Sequence, residues 1–174
     1  EYLKAKFFER TADSVVSDWR NSISDPTEFL TESARMADLV VVGSPEGAKH
    51  RDPYRSVNLG DLMLQAGRPV LVAANGAEHL LAHHVVVAWK DCREARRVVT
   101  DAMPFLIRAD EVVVVTAAKE NSEASKASLA DVTSYLAAHG VKARSQISNF
   151  QVDGQHLFEL AKDFHSDLIV AGAY

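Results

Sequence analysis

Two runs of this chain, HVVVAW at 84–89 and EVVVVTAA at 111–118, are apolar without polar alternation. A strand with one wet face alternates apolar and polar residues, whereas an unbroken run rich in β-branched residues suits a strand covered on both faces. Such strands belong to parallel sheets, and parallel strands need long crossovers, usually helices. The remaining pattern supplies them. The sequence predicts a helix end at 1–10, a strand near 14–23, a helix at 26–37 and a strand at 38–43. A loop rich in Pro, Gly and charge spans 44–56, before a helix at 57–67 that Gly67 closes, a strand at 69–74 and a linker at 75–83. Then come a strand at 84–89, a helix at 92–107 whose last turn Pro104 bends, and a strand at 111–117. A helix at 123–139 closed by Gly140, a strand at 142–149, a helix at 154–165 and a strand at 167–172 complete the alternation. This is an α/β doubly wound parallel sheet. Ligands of such sheets bind beyond the carboxyl ends of the strands, which directs attention to the loops after Gly43, Trp89, Ala117 and Gly172.

One phrase occurs twice. Asp38 and Asp167, 129 residues apart, each open an Asp-Leu-apolar-Val-apolar-Gly stretch, ending at Gly43 and Gly172. Nine residues before each Asp stands a Phe, Phe29 and Phe158, and before those come Asp25-Pro26 and Asp153-Gly154. Asp is a good helix N-cap, and Pro suits the first helical position. Each copy reads as strand, capped helix, short Val-rich strand and Gly, with SVVSDWRNSIS and VKARSQISNF as the first strands. The offset is too long for a solenoid and suits duplication of a domain-sized unit.

Composition narrows the function. The 174 residues fit one ordinary domain or two small ones, and 47% apolar with 25% charged residues is a globular balance. The net charge of −5 and the lack of a long basic run argue against nucleic acid, and the apolar runs are too short to cross a bilayer. EYLKAKFFER at the start does not resemble a signal peptide, and the single cysteine, Cys92, excludes an internal disulfide and a Cys-based zinc site. A reducing, cytoplasmic setting is the default expectation. His79 and His83 are spaced i,i+4 with His84 next, but no carboxylate completes a set, so a polar linker is read and no metal is predicted. Cys92 reads as a small N-cap residue, His139 as a helix C-terminal residue, His156 and His165 as surface residues, and Trp19 and Trp89 as packing residues. No nucleophile triad, P-loop lysine motif or carboxylate pair stands out.

HVVVAWKDCREARRVV followed by ADEVVVVTAA resembles the opening strand, helix and strand of a universal stress protein domain. LTESARMADLVVVG and LAKDFHSDLIVAGAY resemble that family's fourth strand with the helix before it. The resemblance spans nearly the whole chain and is closest to tandem members carrying two such domains. It implies a Rossmann-like sheet of strand order 3-2-1-4-5 in each. Residues 1–74 then correspond to the second half of a first domain, 75–83 to a linker, and 84–174 to the first four strands of a second. A phosphate loop and fifth strand would follow Tyr174, and the expectation is a natural protein longer at both ends. An alternative is that the first half supplies the missing fifth strand to the second.

The resemblance further implies a bacterial, cytoplasmic stress-response module rather than an enzyme, with weak ATP hydrolysis at most. It implies pairing with itself, as a homodimer or an intrachain pseudo-dimer through fifth strands, and ATP as the nucleotide. Nucleotide-binding members resemble G-x2-G-x9-G-[S/T] after the fourth strand. In the first half Gly43 fits the first position, but Gly47 is one residue late, Gly60 is misplaced, and Asp61 stands where a hydroxyl is expected. That loop is read as degenerate, since a carboxylate repels phosphate. In the second half Gly172 fits the first glycine, and the candidate nucleotide contacts are Ala88, Trp89, Lys90, Ala117 and Gly172. Lys90 stands where the family's V-A-V-D-G-S has Asp, so it is either an anion contact or a solvated loop lysine. A nucleotide-free scaffold of the same fold and an ATP-using α/β enzyme are the competing readings.

Overall fold

The computed structural model describes residues 1–13, 16–44, 56–117, 123–148 and 154–173. Helix α1 (Tyr2–Arg10) precedes α2 (Pro26–Ser33), a 3-10 turn (Ala34–Met36), β1 (Val40–Gly43), α3 (Leu59–Gln65) and β2 (Val70–Ala73). After residues 75–83 follow β3 (His84–Ala88), α4 (Arg93–Leu106), β4 (Glu111–Ala117), α5 (Glu123–Ala138), β5 (Ala143–Ser148), α6 (Gly154–Asp163) and β6 (Leu168–Ala171). All ladders are parallel; β1 pairs with β2, and the second sheet has the order β5-β4-β3-β6. The second order is the first four places of 3-2-1-4-5, and the fold class is the expected one.

The Val runs are covered on both faces, as their composition requires. Val85, Val87, Val112, Val114 and Val170 pack against Ala95, Val99 and Leu106 of α4 and Leu129, Val132 and Leu136 of α5. Val86, Val113 and Val115 face Leu157 and Leu160 of α6, and Phe164 beyond it. Each fully buried valine removes enough apolar surface from water to contribute roughly 1.5–2 kcal/mol. The smaller core joins Ala34, Val40, Val42 and Leu62 with Leu30, Leu59 and Val70.

Helix ends follow local chemistry. The Asp25 carboxylate accepts from the Thr27 and Glu28 amides at 2.9 and 3.0 Å, with Pro26 at the first helical position of α2. Gly67 and Gly140 follow α3 and α5 with φ of +61° and +79°, a conformation that costs other residues a steric penalty. Pro104 lies inside α4, which nonetheless continues through Leu106.

One expectation needs correction. Residues 16–22 form no strand, and Val16 is 85% exposed. The corresponding stretch of the second copy is β5, whose hydrogen bonds go to β4; among the described residues no strand lies beside 16–22 to accept such bonds. Of the repeated Phe pair, Phe158 is 64% exposed, and its neighbours Leu157 and Leu160 face the sheet. As to the fifth-strand alternative, β2 lies in the sheet of β1 and makes no ladder with β6.

Candidate functional site at the carboxyl edge of the second sheet

Strand β3 lies between β4 and β6, so the crevice beyond β3 and β6 is where the order of connection reverses. The register places Ala88 beside both Val115 and Ala171. Ala88, Trp89, Lys90 and Gly172 therefore come to one end of the sheet. Ala117 ends β4 one strand away, opposite Ser148 of β5. The Trp89 amide donates to the Val115 carbonyl at 2.7 Å, and the Cys92 amide donates to the Lys90 carbonyl at 2.6 Å, forming a tight turn into α4. Lys90 is exposed beyond the strand end. Cys92 is the N-cap of α4, but its side chain makes no capping bond.

Gly172 has a packing reason to be glycine. A Cβ there would lie 2.9 Å from the Ala95 nitrogen and 2.9 Å from the Glu94 carbonyl carbon. The first turn of α4 thus rests directly on the end of β6. Charged groups gather around this contact. Arg93 donates to Glu94 at 2.8 Å, and the Glu94 carboxyl is held below its ordinary pKa by its own backbone amide and then by Arg93. Arg68, Arg93 and Arg97 line a cleft of about 370 Å³ with Glu94, Asp101 and Gly172, and Arg97 donates to the Gly67 carbonyl at 3.1 Å.

The first-half loop has another organisation. Gly60 and Asp61 sit in the first turn of α3, where the Asn58 side chain accepts from both amides at 3.1 and 3.3 Å. Asn58 also donates to the Asp61 carboxylate at 2.6 Å. A carboxylate in a first helical turn suits the helix dipole, so Asp61 has a capping role. Gly43 meets nothing within 4 Å of an added Cβ, and Gly47 lies outside the described residues. Among the described residues no cluster of His, Cys, Asp and Glu could hold a metal, and no helix is long and apolar enough to cross a membrane.

Sequence reasoning missed Asp167 as an individual residue. Its carboxylate accepts from the His83 and His84 amides at 2.9 and 3.1 Å, tying the start of β6 to the start of β3. The repeated Asp was visible, but its acceptors' distant partners, 83 and 84 residues away in sequence, were not.

No family model and no curated protein matches the sequence. Among solved structures, the chain is similar to a universal stress protein from Archaeoglobus fulgidus DSM 4304, with a TM-score of 0.76 and 14% identity over 97% of this chain and 62% of that one. It is also matched, more loosely, to protein Rv1636 from Mycobacterium tuberculosis H37Rv, with a TM-score of 0.45 and 19% identity over 51% of this chain and 69% of that one. The archaeal likeness shows the fold: the chain shares the α/β architecture of that structure. It spans about three fifths of the length of that structure.

Proposed function

We propose that the chain is a regulatory, stress-response module of the universal stress protein family, built from parts of two tandem domains at 1–74 and 84–174 joined by 75–83. The strand order β5-β4-β3-β6, together with the likeness to the archaeal protein, supports this reading. In it the module works in the cytoplasm, pairs with itself and is not an enzyme. A nucleotide such as ATP binds weakly at the β3–β6 crevice, its phosphates near Lys90 and Gly172. Titration with a fluorescent ATP analogue tests this. Saturable, submillimolar binding that Lys90→Ala weakens supports it.

A second reading, a nucleotide-free scaffold, is favoured by the contact of Gly172 with α4 and by Lys90 at the place of the family's Asp. Failure of the analogue to bind at any concentration up to millimolar supports the scaffold and removes the nucleotide from the proposal.

A further inference from the structure

Helix α4 has a second flank, turned away from Gly172, and a cleft of about 400 Å³ opens there towards α5. Its base is Trp89, only 8% exposed, with Val99 of α4 and Val132 of α5 beside it. The indole is fixed, because its N–H donates to the Ser128 hydroxyl at 2.9 Å. The Tyr135 ring forms one wall and is 39% exposed. A mainly apolar concavity with a few polar groups at its mouth is the ordinary form of a small-molecule site, and this volume lies in the usual range.

The mouth carries an unbalanced charge. Arg96 donates to a single oxygen of Asp91 at 2.9 and 3.2 Å, so those two charges offset each other. Asp131, on the opposite rim, has no ion pair or hydrogen bond among the described residues. An apolar body seated on the indole and the two valines would carry its polar end past this carboxylate. A cation is favoured there by Asp131 and by the faces of the neighbouring aromatic rings, and an anion is repelled.

We propose that this cleft binds a small organic amine, with its apolar body against Trp89 and its ammonium group at Asp131. The site lies between two helices and shares Trp89 with the strand-end crevice: the Trp89 amide closes the end of β3 there, whereas its indole lines this cleft.

The test uses the whole chain, 15N-labelled, and follows the Trp89 indole N–H resonance, assigned by comparison with Trp19→Phe. The titrants are 2-phenylethylammonium, its neutral isostere 2-phenylethanol, and phenylacetate. The expected result is a saturable shift of the Trp89 signal with the ammonium compound, roughly tenfold weaker binding of the alcohol, and none of the acid. Asp131→Asn, with an otherwise unchanged spectrum, should weaken the amine about tenfold. Lack of a saturable shift with the amine overturns the proposal. So does equal binding of the amine and the acid, a comparison made on the unaltered chain and therefore independent of how the variant folds. Undiminished amine binding by a folded Asp131→Asn protein overturns it as well.

Discussion

Val41 and Val170 occupy the same place in the repeated phrase, yet Val41 is 59% exposed and Val170 only 5%. In the first copy the strand presents one face to the helices on either side of it in sequence. Val40 and Val42 take that face, packing with Leu30 of α2 and Leu62 of α3. The other face differs. In the second copy α4 covers it, joining Val170 to Ala95 and Val99; in the first, no helix among the described residues buries Val41. The glycines repeat the contrast, since α4 presses on Gly172 while Gly43 faces open space. The aspartates do so again: Asp167 holds two amides of the β3 entry, and Asp38 has no hydrogen bond among the described residues. One local sequence thus forms the same strand twice, and the neighbour across the sheet decides how much that strand contributes to stability.

The comparison can be broken by paired substitutions. Val170→Asp should cost more than about 3 kcal/mol, because it places an unpaired charge in the larger core. Val41→Asp should stay within about 0.5 kcal/mol. Urea denaturation of the two variants measures both, and equal costs would remove the distinction. Gly172→Ala should cost roughly 1–3 kcal/mol, because the β6 end or the first turn of α4 must shift to admit the methyl group. Gly43→Ala, with no neighbour to meet, should change stability by less than about 0.5 kcal/mol.

Asp167→Ala should cost about 1–2 kcal/mol, since two amides exchange a charged acceptor for water, and Asp38→Ala less than about 0.5 kcal/mol. Thermal denaturation of this pair sharpens the account, because both residues are exposed and only their acceptor roles differ.

The smallest effect concerns acid. Arg144 donates to Glu111 at 2.6 Å across β4 and β5, and this hydrogen bond, with the Arg144 charge, holds the Glu111 carboxyl below its ordinary pKa. A carboxyl lowered in the folded state binds its proton more readily when unfolded. Its contribution is therefore present above the ordinary value of 4.5 and is lost as pH falls below it, through the folded pKa. Glu111→Gln should lower stability slightly at neutral pH and leave it unchanged in acid, flattening the acid limb, and only by a little because the pair is exposed and solvent-screened. An unaltered acid limb would show that the ion pair contributes nothing measurable.

Much of the fold was legible because its signals are local. The Val runs declared doubly covered strands, Asp25-Pro26 declared a helix start, and Gly67 and Gly140 declared helix ends. Residues 16–22 misled because β-branched and aromatic residues indicate strand propensity without supplying a neighbouring strand. The carboxyl-edge gathering of Ala88, Trp89, Lys90 and Gly172 followed from the strand alternation. The packing need at Gly172 did not, because it depends on how closely α4 approaches β6. Trp89 was read as a packing residue, and its indole does sit in the larger core; the hydrogen bond to Ser128, 39 residues on, required the helices to be placed.

Native-state amide hydrogen exchange addresses the central contrast without any substitution. It compares the β1–β2 ladder with the β3, β4 and β6 ladders in one sample. The account predicts that β3, β4 and β6 amides exchange only through the largest openings. Amides of β1 and β2 should exchange through a smaller, separate opening. Equal protection in both sheets would contradict it, because the uncovered face at Val41 would then leave the first copy no less stable than the second.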